Sequence, residues 1–366
     1  MTVVAATSLD ARLDRLAEDA RRAGLDVLLL TSDASIAYVT GFRPTQLERF
    51  FGVAVHASGE GALVVPRLDE GQIVDAPARL DRVVYEAGSS GVPELVRALG
   101  NPRAVGVEED HLVLGRAQAL GEAGLELLPA AEIVRRLRAR KDDAEVARVR
   151  DACALVADAL MRVFDELRPG DIERGANARV EGWLREQGAE DVHSLILFGE
   201  HGADPHGRPG ERVLKRGDVV CADVSACLDG YWGDLTRCAA VRPTSEWAQA
   251  AWLVVRDAQA AAVEASRAGT RARNVDAAQR RIVEAAPHLG SCIHGAGHAI
   301  GLELHEPPFL VPGNETVLEE GMIFTIEPGI YRRDIGGLRL EDDVLVARGK
   351  PELLSTLPLA LREIPT

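Results

Sequence analysis

Asp223 and Asp234 stand on either side of Asp229-Gly230, a dipeptide suited to the two-residue turn of a β-hairpin. With that dipeptide as the loop, the flanking apolar runs become paired strands in which Leu228 meets Tyr231, Val224 meets Leu235 and Ser225 meets Asp234. Side chains alternate across a sheet, so Asp223 shares a face with Ser225 and is the diagonal neighbour of Asp234, backbones roughly 7–8 Å apart. Two carboxylates this close repel, and one takes up a proton unless positive charge lies between them. The shared face is either a solvated hairpin surface or half of a cation site.

Three further stretches carry reactive side chains. The segment IHGAGHAIGLELHEP, residues 293–307, supplies His294, His298 and His305. His294 and His298 are spaced to share one face of a helix or a strand, and Gly295 and Gly297 disfavour the helix, so this is not the HExxH pattern of a zinc-protease helix. For any one of these histidines alone, a tight loop with satisfied imidazoles is sufficient. In MIFTIEPGIY, residues 322–331, an apolar strand delivers Glu327 at its end, where Pro328-Gly329 stops it. In GLRLEDDVLV, residues 337–346, Leu338 and Leu340 face one side while Arg339, Glu341 and Asp343 face the other. Alone, that pattern is equally an amphipathic edge strand with an internal ion pair.

Jointly these stretches offer four carboxylates, Asp223, Asp234, Glu327 and Glu341, with one or more imidazoles. Oxygen-rich sets with a nitrogen suit Mn²⁺, Fe²⁺, Co²⁺ or Zn²⁺. Four carboxylates exceed the need of one divalent ion, and two ions about 3.5–4 Å apart would balance them. Such a pair generates a nucleophile at neutral pH and holds the carbonyl it attacks.

The order and strand context of Asp223, Asp234, His298, Glu327 and Glu341, in DVSACLDGYWGDLTR, HGAGHAIGLELHEPP, TIEPGIY and LRLEDD, resembles the "pita-bread" metallopeptidases. That family includes Xaa-Pro dipeptidase (prolidase), aminopeptidase P and methionine aminopeptidase. The first half, with IAYVTGF at residues 36–42, is similar to the extra domain of the prolidase and aminopeptidase P branch. The resemblance implies two divalent ions, manganese foremost, with cobalt, zinc or iron as alternatives. It implies that Asp223 binds one ion, that Asp234 and Glu341 bridge both, and that His298 and Glu327 complete the other's shell. His206, His294, His305 and Arg339 become the substrate-side set. In it His294 and His305 hydrogen-bond the scissile carbonyl or tetrahedral intermediate, and Arg339 braces a metal-bound carboxylate. Glu327 becomes the proton shuttle to the leaving prolyl nitrogen.

The implied activity is hydrolysis of the bond before proline, in dipeptides or, as in aminopeptidase P, in longer peptides, by a homodimer. Three positions depart from the family pattern. Ser225 stands where glycine is usual, which predicts a local backbone difference. Cys238 stands where threonine is usual, which predicts a change in packing. Phe309 follows HEPP where some prolidases have an arginine proposed to hold the dipeptide's terminal carboxylate. Rival readings on the same fold are creatinase-like, ectoine-derivative or sulfoniopropionate chemistry, and a binding module without activity. The intact ligand set counts against creatinase and the inactive module.

The elements that must position these residues divide into two groups. Residues 10–23 read as a helix ending near Gly24, residues 27–31 as a buried strand, and VAVHA and ALVVP as a hairpin across residues 58–61. Strands near 83–85 and 104–107 alternate with helices over 92–99 and 112–123, predicting an α/β domain over residues 1–139. The charged passage 133–147 marks the boundary. Residues 140–366 read as an α+β catalytic domain: helices over 144–167, 172–187, 247–265 and 275–286, with a curved or hairpin-built sheet carrying the carboxylates and histidines.

The totals exclude several function classes. With 42 basic against 57 acidic residues the net charge is −15, which argues against nucleic-acid and anionic-membrane partners. Five cysteines without CxxC spacing speak against a disulfide framework or structural zinc and for a reducing, cytoplasmic setting. The first residues lack the basic start and apolar core of a secretory signal, and no apolar run reaches membrane-spanning length.

Overall fold

The computed structural model describes residues 6–74 and 76–366. The chain forms two compact units, Met1–Arg138 and Ala139–Thr366, against the expected division between residues 139 and 140.

In the first unit, helices α1 (Ala6–Arg22), α2 (Asp33–Thr40), α3 (Val92–Leu99) and α4 (Leu114–Glu122) accompany a six-stranded sheet. Its strands are β1 (Val27–Leu30), β2 (Gly52–His56), β3 (Gly61–Pro66), β4 (Leu80–Tyr85), β5 (Val105–Val107) and β6 (Leu127–Pro129), ordered β4-β3-β2-β1-β5-β6. The sheet is mixed: β1 runs antiparallel to β2 and parallel to β5. Every residue of β1 is buried, as expected of a continuous apolar run. Two elements were not readable in the sequence. Helix α2 begins on a polar device: the buried Glu108 carboxylate accepts bonds from the Ser32 amide and hydroxyl and the Ser35 hydroxyl, at 2.8, 2.8 and 2.6 Å. Strand β6 has only three residues, too few for a period to emerge.

Helix α5 (Ala131–Ala139) precedes the second unit, and the charged passage does end one helix and begin another. Helix α6 (Asp143–Glu166) opens on a reciprocal cap between Asp142 and Glu145. Helix α7 (Glu173–Glu186) follows, then strands β7 (Asp191–Phe198), β8 (Val219–Leu228) and β9 (Tyr231–Val241), and helices α8 (Glu246–Ala265) and α9 (Ala272–Glu284). The remainder is strand: β10 (Gly297–Ala299), β11 (Glu306–Leu310), β12 (Ile323–Ile326), β13 (Gly329–Arg332), β14 (Gly336–Arg339), β15 (Asp342–Leu345), β16 (Glu352–Leu353) and β17 (Arg362–Ile364). They form sheets ordered β17-β9-β8-β7 and β11-β10-β12-β15-β16, with β13-β14 as a ribbon.

Alternation in β8 and β9 decides which side is core. Val220, Ala222, Val224 and Ala226 of β8, with Leu235 and Ala239 of β9, pack against Val156, Leu160 and Phe164 of α6 and Val180 and Leu184 of α7. Fully burying a residue such as Val224 or Leu235 stabilises by about 1.5–3 kcal/mol. Helix α6 lies so close to β9 that a Cβ on Gly233 would come within 2.5 Å of the Cys153 amide nitrogen, so only glycine fits there. The opposite face of the hairpin therefore carries Asp223, Ser225, Asp234 and Thr236.

Candidate metal centre

The hairpin has the expected register: Leu228 pairs with Tyr231, Val224 with Leu235, Ser225 with Asp234, and Asp223 with Thr236. Asp229 and Gly230 both adopt positive φ, 48° and 80°, the geometry of a type I′ turn. The ladder runs through Ser225 without a shift. What Ser225 brings is a hydroxyl that donates to Asp234 Oδ1 at 2.8 Å.

The third and fourth stretches arrive by different routes. Glu327 follows the last residue of β12, and its amide donates to the Ala296 carbonyl. The expected single strand over residues 337–346 is broken: β14 pairs with β13, whereas β15 pairs with β12. Between them the Leu340 amide turns to the Pro328 carbonyl and the Glu341 amide crosses to Thr236 of β9. This break brings Glu341 against the hairpin, where it accepts the Thr236 hydroxyl at 2.6 Å. Asp343, fully buried, accepts the Asp234 amide at 3.1 Å and the Cys153 thiol at 3.0 Å.

Of the two histidines expected to share a face, only His298 lies on a strand, β10; His294 precedes it in irregular chain, so the face argument fails for the pair. His298 Nδ1 lies 3.0 Å from the Ala299 carbonyl, which assigns the proton to Nδ1. The lone pair of Nε2 then faces Asp234 Oδ2 at 3.8 Å and Glu327 Oε1 at 3.9 Å. Ligand atoms of Asp223, Asp234 and Glu341 lie within 4.8 Å of one another, as do those of His298, Glu327 and Glu341, and those of Asp234, His298 and His305. Because Glu341, Asp234 and His298 each belong to two of these groups, the cluster forms neighbouring cation positions with shared ligands.

The electrostatics suit such cations. Burial, with repulsion from Asp223 and Asp343, pushes the Asp234 carboxyl well above its ordinary range. Burial and the charges of Asp234, Glu327 and Asp223 do the same to Glu341. Burial raises Glu327 to about 7 even though Arg339 opposes it. His298 is lowered to about 3 by burial and by the neighbouring His305, so its imidazole is neutral and fit to ligate. Buried acids that resist ionisation and a neutral imidazole together fit divalent metal ions.

Arg339 is 3% exposed, and each of its guanidinium nitrogens bonds a protein group. It donates to Asp223 Oδ2 at 2.5 Å, Thr236 Oγ1 at 3.1 Å and the Tyr331 hydroxyl at 2.9 Å. It thus braces a carboxylate and offers little to a substrate. The role expected of His294 meets a similar constraint: Nδ1 donates to the Gly295 carbonyl and Nε2 accepts the Tyr331 hydroxyl, both at 2.8 Å. Its pKa falls to about 4 through burial and the charge of Arg339. His305 is exposed, its ring centred 4.0 Å from that of His298, and is the imidazole placed to meet solvent or substrate. His206, exposed in the loop after β7, lies near enough that its charge depresses both His294 and His305.

Sequence reasoning missed three contributors. Tyr331 joins His294 to Arg339, although the sequence assigns it no role beyond its place after the Pro328-Gly329 stop. Thr236 joins Arg339 to Glu341. Glu173, fully buried, accepts the Phe198 and Gly210 amides and His201 Nδ1 at 2.8, 3.0 and 2.8 Å, anchoring both ends of the loop that bears His206. The period of the hairpin could have identified Thr236, which shares the face of Asp234.

Residues 147–348 match the model of Metallopeptidase family M24, and residues 12–140 match the Creatinase/Prolidase N-terminal domain. Among solved structures, dipeptidase PepE from Mycobacterium ulcerans is 31% identical with a TM-score of 0.91, the alignment covering 99% of this chain and 100% of that one. An Xaa-Pro dipeptidase from Bacillus anthracis is 30% identical with a TM-score of 0.89, covering 97% and 99%. An X-Pro aminopeptidase from Thermotoga maritima is 26% identical with a TM-score of 0.86, covering 96% and 99%. The catalytic domain has the pita-bread fold, and the chain belongs to metallopeptidase family M24, in the branch that carries a creatinase/prolidase N-terminal domain.

Proposed function

We propose that this enzyme hydrolyses the bond preceding proline, with Xaa-Pro dipeptides as its leading substrates and longer Xaa-Pro peptides as the alternative. The observation that carries the reading is the overlap of the three ligand groups at Asp234, His298 and Glu341, which supports a site for two ions with shared ligands. Asp223 would hold one ion, His298 and Glu327 the other, and Asp234 and Glu341 would be shared by both. Two bound divalent ions, Mn²⁺ foremost, supply a nucleophile at neutral pH and polarise the scissile carbonyl.

The chain's own residues do the rest. Glu327 carries the proton from the attacking water to the prolyl nitrogen. His305 donates to the oxygen on which charge develops, and His206 closes the substrate side. His294 acts through Tyr331, fixing the Arg339 side chain that holds Asp223. Proline's nitrogen bears no N–H, so recognition must rely on shape and apolar contact. Phe309 supplies such a surface: it pairs with His298 across β10 and β11, hence shares its face, and is 42% exposed.

No helix among the described residues is long and apolar enough to cross a membrane. A cytoplasmic homodimer acting on small peptides, without nucleic-acid or membrane partners, accords with that, with the net charge of −15 and with five cysteines that form no disulfide.

A panel of Ala-Pro, Ala-Pro-Ala and Ala-Ala assayed with Mn²⁺ tests the substrate. Ala-Pro is expected to exceed Ala-Pro-Ala in kcat/KM by about tenfold or more, ~1.4 kcal/mol in the barrier, with Ala-Ala lower still. The reverse order would assign the longer-peptide activity. Failure to cleave either proline peptide would overturn the proposal.

A further inference from the structure

We infer that Ser225 is a positioning residue of the metal centre, whose hydroxyl fixes the rotation of the Asp234 carboxylate and thereby sets the affinity of the ion on the His298 side. The inference rests on the two-ion reading of the site. Ser225 is 1% exposed and directly opposite Asp234 in the β8–β9 ladder. The Asp234 amide points away from β8, to Asp343 Oδ2 at 3.1 Å. The Ser225–Asp234 pair is therefore the non-hydrogen-bonded kind, in which facing side chains lie closest.

That closeness lets a side chain as short as serine reach the carboxylate. The hydroxyl donates to Oδ1 at 2.8 Å, while Oδ2 is the oxygen that faces His298 Nε2 at 3.8 Å. The terminal torsion of an aspartate has a broad, weak preference. One oxygen pinned by a buried donor fixes where the other points. Two constraints act on Asp234 in sequence: the Asp343 bond holds its backbone, and the Ser225 bond holds its carboxylate. Neither contact uses the lone pairs of Oδ2, so Ser225 orients a ligand without competing for the ion on that side. Outer partners of metal ligands are typically worth 10–100-fold in affinity.

The test is calorimetric titration of Mn²⁺ into the metal-free full chain, for wild type, Ser225→Ala and Ser225→Thr, with the thermal midpoint of each metal-free protein measured alongside. Ser225→Ala removes only the oxygen, and Ser225→Thr restores it. The expected result is two binding events in wild type and one of them weakened about 10–100-fold in Ser225→Ala. The other event should stay within about twofold, Ser225→Thr should return close to wild type, and the midpoint of Ser225→Ala should be unchanged. Wild-type affinity for both ions in Ser225→Ala would overturn the inference. So would equal weakening of both events, or weakening that Ser225→Thr does not restore with its fold intact. A wild-type protein that binds only one ion would overturn the two-ion reading itself, and this inference with it.

Discussion

Asp234→Asn is expected to lower kcat/KM for Ala-Pro by about 10⁴-fold, ~5.5 kcal/mol in transition-state stabilisation, and to reduce bound Mn²⁺ from two equivalents to one or fewer. The amide keeps the size of the side chain and an oxygen for the Ser225 hydroxyl, so the substitution removes charge more than shape. Asp234 belongs to two of the three ligand groups and, like Glu341, links Asp223 to His298. Loss of that charge is felt at both ion positions. The fold should not suffer: burial and the charges of Asp223 and Asp343 disfavour ionised Asp234, so a neutral amide relieves the metal-free protein. The metal-free thermal midpoint of Asp234→Asn should equal or exceed that of wild type. Metal analysis, hydrolysis of Ala-Pro and a melting curve check the three parts separately.

Glu327→Gln is the second large effect. Glu327, just past the end of β12 with Oε1 3.9 Å from His298 Nε2, is the carboxylate assigned to carry the proton from the attacking water to the leaving nitrogen. Glutamine retains the length of the side chain and one oxygen facing His298, but cannot carry the proton. At saturating Mn²⁺, kcat for Ala-Pro should fall by about 10²–10⁴-fold while KM changes less than about threefold. A loss confined to KM would assign Glu327 to substrate binding.

How far the sequence discloses this site depends on how local the determinants are. The hairpin was readable to the residue, because Asp229-Gly230 sets the turn and a two-residue period carries the register to Asp223 and Asp234. The long helices were readable because α6 and α7 bury a continuous apolar stripe against the hairpin. The break at Leu340 and Glu341 was not, since it is set by partners distant in sequence, Pro328 and Thr236. The constraint on His294 was hidden for the same reason: it depends on Tyr331 and Arg339, which approach only when β13 and β14 pair. Ser225 is the instructive case. The family pattern suggested a changed backbone, while the register itself, taken one step further, places its hydroxyl opposite Asp234.

The central claim, a dinuclear site that cleaves the bond before proline, is tested most directly by adding Mn²⁺ stepwise to chelator-stripped protein while bound metal and Ala-Pro hydrolysis are measured together. The structure predicts no hydrolysis by the stripped protein, and activity that reaches its plateau only when two ions are bound per chain. Full hydrolysis of Ala-Pro with no metal bound would contradict it.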